Sequence, residues 1–247
     1  VKQTRQLMGM PIIVMVEDQD ASDADFDVVY DYFSAVDARY SIYKADSEIT
    51  KINRGLPESE WSDEMKAVLK LCDDTKTETN GYFDISHDGK LDPSGLVKGW
   101  AIQRAADLLH GRGRRNFSID AGGDVQVAGL NSSHEPWRIG IRNPFKRQEV
   151  VKVVVLTDAG IATSGTYIRG EHIYNPLEAG AKLADVASLT VISSEVYEAD
   201  RFATAAFAMG KAGIDFIESR DGLEGYMIDA SGVATMTSGF ESFVAAV

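Results

Sequence analysis

The order in which hydrophobic periodicities follow one another constrains this chain more than any single motif. Phe26, Val29, Phe33, Val36 and Tyr40 recur at spacings of three and four, which predicts a helix entered through a cap at Ser22 and Asp25. A second helix is expected over roughly 62–79. Ser62 would be its N-cap, Met65, Val68, Leu69 and Cys72 its inner face, and Asn80-Gly81 its end. A third is expected from about Val97 to Leu109. From residue 116 onward short β-branched runs dominate: NFSIDAGG, DVQVAGL, WRIGIRNP, VVKVVVL and later ASLTVIS. One further strand is expected earlier, over 8–16 (MGMPIIVMV), and one further helix later, in ADRFATAAFAMG. The tail EGYMIDASGVATMTSGF predicts a hairpin around Ser231-Gly232. Strands and helices do not alternate regularly, so the expected class is α+β, as a single domain over residues 1–247.

Net charge is −13 in 247 residues, which disfavours a nucleic-acid partner. An anionic ligand would need local help from a metal, a helix N-terminus or a few placed cations. Cys72 is the one cysteine; it excludes an internal disulfide and a cysteine-rich metal centre. No apolar run is long enough for a transmembrane helix. Residues 1–6 have no apolar signal core behind them, so a cytoplasmic location is expected, with an exported form whose signal has been removed as the alternative.

Several segments carry chemistry. Asp200 and Thr204 share one face of a helix, and a carboxylate with a hydroxyl is a hard oxygen pair suited to Mg²⁺. Such a pair is also commonly a solvated face or a cap. Here the rest of the helix is small or apolar, so the threonine hydroxyl needs a partner. The run Leu91 to Gly99 (LDPSGLVKG) resembles a tight loop leading into a helix N-terminus, which favours phosphate, and it also fits a simple turn and cap. It is neither a Walker loop nor a GxGxxG fingerprint. Gly122-Gly123-Asp124 fits a β-turn between strands. Ser164 in ATSG lacks the GxSxG context of a serine hydrolase. The histidines are His87, His110, His134 and His172, without zinc-enzyme spacing.

Taken in order, MG, YSIYKADSEITKIN, TNGYFDIS, LDPSGLVKGWA, SIDAGGDV, ATSG, HIYNP and EADRFATAAFAMG resemble the ApbE family of FAD:protein FMN transferases over nearly the whole chain. The resemblance implies an α+β, T-fold-related architecture of two interleaved lobes with FAD in the cleft between them. Carried over by position, Met8 and Tyr43 border the flavin nucleotide, and Tyr82, Phe83 and Asp84 line it. Asp92, Lys98 and Tyr174 contact FAD. The backbone carbonyl of Gly95 and the side chains of Asp200 and Thr204 hold Mg²⁺, and His172 is the candidate base. The loop is often Asp-Leu-Gly-Gly in relatives and Asp-Pro-Ser-Gly here, which keeps a carbonyl at Gly95. Met10 stands where a Thr is frequent, and Tyr174-Asn175 replace an aliphatic and an Asp, which alters the flavin contacts.

The implied reaction is attack by a Ser or Thr hydroxyl of a target flavoprotein on the FMN phosphorus of FAD, releasing AMP. In the family that target is often a membrane redox subunit. Two other outcomes use the same residues: hydrolysis of FAD to FMN and AMP by water, and flavin binding without turnover.

Overall fold

The computed structural model describes residues 1–146, 148–165, 175–178 and 183–245. Its frame is an eight-stranded sheet in the order β1-β2-β5-β6-β9-β10-β11-β12. These strands are β1 (Lys2–Leu7), β2 (Met10–Val16), β5 (Phe117–Ala121), β6 (Asp124–Ala128), β9 (Ala159–Gly165), β10 (Val186–Ser193), β11 (Glu224–Asp229) and β12 (Ala234–Met236). Every neighbouring pair is antiparallel. A small hairpin, β3 (Ser86–His87) with β4 (Lys90–Leu91), and a longer ribbon, β7 (Trp137–Arg142) with β8 (Val150–Leu156), stand outside it. The helices are α1 (Asp23–Tyr40), α2 (Glu48–Asn53), α3 (Asp63–Glu78), α4 (Ser94–Gly111), α5 (Val196–Ala208) and α6 (Gly213–Glu218). The class is α+β, as the order of periodicities implies. No helix among the described residues is long and apolar enough to cross a membrane.

Three apolar clusters hold the layers together. In the first, α1 to α4 pack on β2 and β5 through Phe26, Phe33, Met65, Leu96, Ile12 and Phe117. In the second, α5 and α6 cover β9 to β11 through Ala203, Phe207, Ile217, Leu189 and Val191. The third seals another part of the sheet under the β7–β8 ribbon, with Trp137, Val154, Ile161 and Phe240. The first two clusters are the two lobes. They interleave because β5 and β6 return to the sheet only after α4, and α5 then packs back against α4.

Local chemistry explains where the elements begin. Ser62 Oγ caps α3 by accepting the Met65 N–H at 3.1 Å. Asp25 sits in the first turn of α1 and accepts the Ser22 N–H at 2.8 Å. The same carboxylate receives Arg112 Nε at 2.6 Å and lies 3.3 Å from Arg114 Nε, so it ties the start of α1 to the end of α4. The expected strand over 8–16 is shorter than its sequence suggests. Met8 (φ 52°) and Gly9 (φ 72°) form a two-residue turn between β1 and β2, so the buried strand starts at Met10. Strand β1 itself has no apolar face and gives no periodic signal. The stretch between Tyr40 and Asn53 holds α2, which buries only Ile49 and Ile52 and is too short to show a period. Helix α4 starts at Ser94, ahead of the expected Val97, because Pro93 supplies its first acceptor to Leu96 and Val97. Within the expected connection over 81–97, Asp88 and Gly89 turn the β3–β4 hairpin.

Asp25 supplies a direct test. Burial pushes its carboxyl up, but the Arg112 hydrogen bond, the Ser22 N–H and the Arg114 charge outweigh this and hold it below the usual 3.8. Its contribution is therefore full above that value and is lost as pH falls through the lowered one. Asp25→Ala is expected to cost about 2 kcal/mol in urea unfolding at pH 7, since it removes the charged acceptor shared by Arg112, Arg114 and the Ser22 N–H. The gap to the wild type is expected to narrow below pH 3.8.

Candidate active site

Helix α5 is able to reach the sheet because two glycines leave room for it. A Cβ on Gly160 of β9 would lie 2.2 Å from the Val196 amide nitrogen. A Cβ on Gly99 of α4 would lie 2.5 Å from Asp200 Cβ and 2.9 Å from the Val196 carbonyl. With only hydrogens there, the first turn of α5 sinks between α4 and β9. Gln126 of β6 then caps it from the sheet: its Oε1 accepts the Val196 N–H at 2.7 Å and its Nε2 donates to Ser194 O at 3.2 Å. From the other side Arg201, 8% exposed, donates to Glu78 and Glu198 at 2.6 Å and to Thr75 Oγ1 at 3.2 Å. These contacts fix Asp200 and Thr204 one turn apart, facing α4.

Asp200 is buried, and its Oδ2 accepts the Gly99 N–H at 2.7 Å. In a regular α-helix that N–H serves the carbonyl four residues back, which here is Gly95. The Gly95 oxygen accepts the Thr204 hydroxyl at 3.4 Å, and Ser164 Oγ lies 3.4 Å from the same hydroxyl. Lys98, one helical turn after Gly95, brings its ammonium 3.4 Å from Asp200 Oδ1 and into an ion pair with Asp124 at the head of β6. Asp124 Oδ1 accepts the Thr163 N–H at 3.0 Å. The result is a buried cluster of two carboxylates and one ammonium. Burial, with the Asp124 charge added to it, pushes the Asp200 carboxyl up against the opposing pull of Lys98 and the Gly99 N–H.

Such a cluster suits a divalent cation. Asp124 Oδ2 is buried without a well-directed hydrogen bond, and the carboxylates outnumber the ammonium. Among the described residues no group of three or more His, Cys, Asp or Glu could hold a metal. A cation here must therefore draw on neutral oxygens as well, and Gly95 O and Thr204 Oγ1 stand beside Asp200 to provide them. All-oxygen donors favour Mg²⁺ over zinc or copper.

The cluster forms the floor of a cavity of about 680 Å³. Its walls come from both lobes: Asn53 of α2 with the adjoining Arg54, Tyr82 to Ile85, the β3–β4 hairpin, the start of α4, the end of β9 and Pro176. Tyr82, Phe83, Asp84, Asp92, Gly95, Lys98, Asp200 and Thr204 all line it, so the structure gathers most of the expected site. Asp84 accepts from Ser86 N–H at 2.8 Å and pairs with Lys76 at 2.7 Å, and Asp92 accepts the Ser94 N–H at 3.0 Å. Tyr43 is 92% exposed, beside the lining residue Ile42 and outside the wall. Met8, in the β1–β2 turn, is also outside it. His172 and Tyr174 lie outside the described residues. Sequence reasoning missed Asp124. Its signal was a charged residue heading DVQVA, a strand that is otherwise apolar or polar-neutral and is buried throughout.

A family model described as the ApbE family matches residues 8–89 and 86–227. A FAD:protein FMN transferase of Vibrio cholerae serotype O1 is 34% identical over 130 residues, 49% of this chain and 39% of that protein. One from Escherichia coli strain K12 is 28% identical over 204 residues, 76% of this chain and 58% of that protein. The chain thus spans about half the length of these relatives. Among solved structures, the flavin transferase ApbE from Vibrio cholerae superposes with a TM-score of 0.86 at 23% identity, covering 98% of each chain. The ApbE protein of Thermotoga maritima gives 0.87 at 21% identity, covering 100% of this chain and 99% of that one. At these identities the structural likeness establishes the fold.

The glycine contacts predict a sharp penalty for the smallest side chain. Gly99→Ala is expected to cost about 2 kcal/mol, because the obstructing atoms are backbone and Cβ rather than a flexible tip. In a chain of this size that lowers Tm by roughly 6 °C in calorimetry. An unchanged Tm would show that α5 does not sit this close to α4.

Proposed function

This chain belongs to the ApbE family, and from that premise we propose that it is a Mg²⁺-dependent transferase that moves the FMN part of FAD onto a Ser or Thr hydroxyl of a target flavoprotein, releasing AMP. The observation that carries the proposal is the cavity floor: Asp200, Thr204 and the Gly95 carbonyl meet beside Lys98, beneath a two-lobed cavity flanked by Tyr82 and Phe83.

Gly95, Asp200 and Thr204 would hold the cation. When bound, Mg²⁺ supplies positive charge that offsets the pyrophosphate and the charge growing on departing AMP. The remaining work belongs to the chain. Lys98 presents an ammonium from the cavity lining to a phosphate oxygen. Phe83, 3% exposed and fixed by its N–H to Thr79 Oγ1 at 3.1 Å, gives the ligand a rigid apolar wall. Tyr82 and Asp84 continue that wall, and Asp92 orders the loop before α4. Tyr43 holds its ring in solvent next to the cavity, where a bound flavin can meet it; Tyr174 is assigned a FAD contact and His172 the role of base.

In the reaction the acceptor oxygen forms a bond to the FMN phosphorus. The bond from that phosphorus to the bridging oxygen breaks, and AMP leaves with the electron pair. The hydroxyl proton passes to His172, an imidazole suited to the task near neutral pH. Positioning and electrostatics carry most of the rate in phosphoryl chemistry of this kind. The cation also explains how an acidic chain of net charge −13 accommodates an anionic dinucleotide.

Incubation with FAD, Mg²⁺ and a flavoprotein acceptor is expected to add one FMN-phosphoryl unit to the acceptor, read by intact mass. Rapid AMP release without acceptor labelling would indicate hydrolysis instead, and tight FAD binding without turnover would indicate a flavin carrier. His172→Ala is expected to keep FAD binding and lose turnover by about 100-fold or more. Full activity in that variant excludes it as the base.

A further inference from the structure

The two carboxylates that face Lys98 are held differently. Asp200 spends Oδ2 on the Gly99 N–H at 2.7 Å and turns Oδ1 toward the ammonium at 3.4 Å. Asp124 spends Oδ1 on the Thr163 N–H at 3.0 Å and sets Oδ2 against the same ammonium, closer than Asp200 comes. Asp124 is 1% exposed, and its Oδ2 lies against the Lys98 ammonium, so charge attraction to Lys98 compensates for its burial. The chain therefore keeps a second buried anion beside the carboxylate expected to bind a cation. Burying an extra charge is costly without a purpose or a partner.

Lys98 raises a problem that this second anion solves. An ammonium with Asp200 as its only counter-ion would settle on Asp200 and compete there with any divalent cation. We propose that Asp124 is a positioning residue: it is the standing counter-ion of Lys98, and it draws the ammonium off Asp200 so that Asp200 Oδ1 stays open to the cation. This rests on Asp200 being a metal ligand. Formal charge supports the arrangement. Asp124, Asp200 and Lys98 sum to −1, and a divalent cation brings the cluster to +1, facing a phosphate ligand. Without the Asp124 charge the vacant cluster would be neutral and would attract the cation less. Asp124 would then act both on where Lys98 sits and on how strongly the cavity floor attracts cations, and a double-mutant cycle separates the two effects.

The test is Mn²⁺ binding, a hard-oxygen probe, measured by titration calorimetry on the full chain without FAD. Four proteins are compared: wild type, Asp124→Asn, Lys98→Met and the double variant. Asparagine keeps an acceptor for the Thr163 N–H, and Tm checks that each variant is folded. Asp124→Asn is expected to weaken Mn²⁺ binding roughly 10- to 100-fold, as loss of a partner behind a metal ligand does. Lys98→Met is expected to leave binding unchanged or tighten it. In the Lys98→Met background the Asp124→Asn penalty is expected to shrink by at least about fivefold, since coupled neighbours are non-additive. Equal penalties in both backgrounds overturn the proposal and leave the metal site standing, because Asp124 would then act on the cation directly. If Asp124→Asn does not fold, Lys98→Met decides alone, and weaker binding there overturns the proposal. A wild-type chain that binds no Mn²⁺, or an Asp200→Asn variant that binds it normally, removes the metal reading and this proposal together.

Discussion

The close crossing of α5 with α4 and β9 is the constraint on which the site depends. Two positions without side chains, Gly99 and Gly160, let the first turn of α5 lie against two other elements. The alanines at 199, 203 and 206 then line a helix face compact enough to pack there. Only at that separation does a carboxylate on α5 reach a backbone N–H on α4, and only then does a threonine hydroxyl reach the Gly95 carbonyl. Packing and polar contacts are thus one arrangement: the space that a methyl group would fill is the space that brings these oxygen atoms together.

Electrostatics builds on this geometry. A buried carboxylate is tolerated when it is paired and hydrogen-bonded. Asp25 meets that condition fully, with Arg112, Arg114 and the Ser22 amide around it, and it serves as a structural anchor. Asp200 and Asp124 meet it only in part, sharing a single ammonium. The contrast separates a carboxylate tied into the fold from a pair left only partly compensated. It places a partly compensated negative charge at the floor of the cavity.

The helices α1 and α3 were legible because their apolar residues repeat at helical spacing and their caps are serines. The hairpin around Ser231-Gly232 was legible from its turn residues. Strand β1 was hidden because its exposed residues do not alternate, and α2 because six residues hold too little pattern. In the site, Asp200, Thr204, Gly95 and Lys98 were reached through the order of motifs, since each alone fits an ordinary cap or turn. Asp124 escaped because its partners lie on α4 and β9, far away in sequence. Local spacing reports neighbours along a helix or strand, whereas a counter-ion across three elements appears only when the fold assembles them.

The central claim is that Gly95, Asp200 and Thr204 form one cation site at the cavity floor. The most direct measurement is a crystal structure of the chain grown with Mn²⁺, using the anomalous signal of the metal. The account predicts a single strong anomalous peak bonded to the Gly95 carbonyl, the Asp200 carboxylate and the Thr204 hydroxyl, lost in Asp200→Ala. A peak elsewhere with this cluster empty, or one that survives Asp200→Ala, would contradict it.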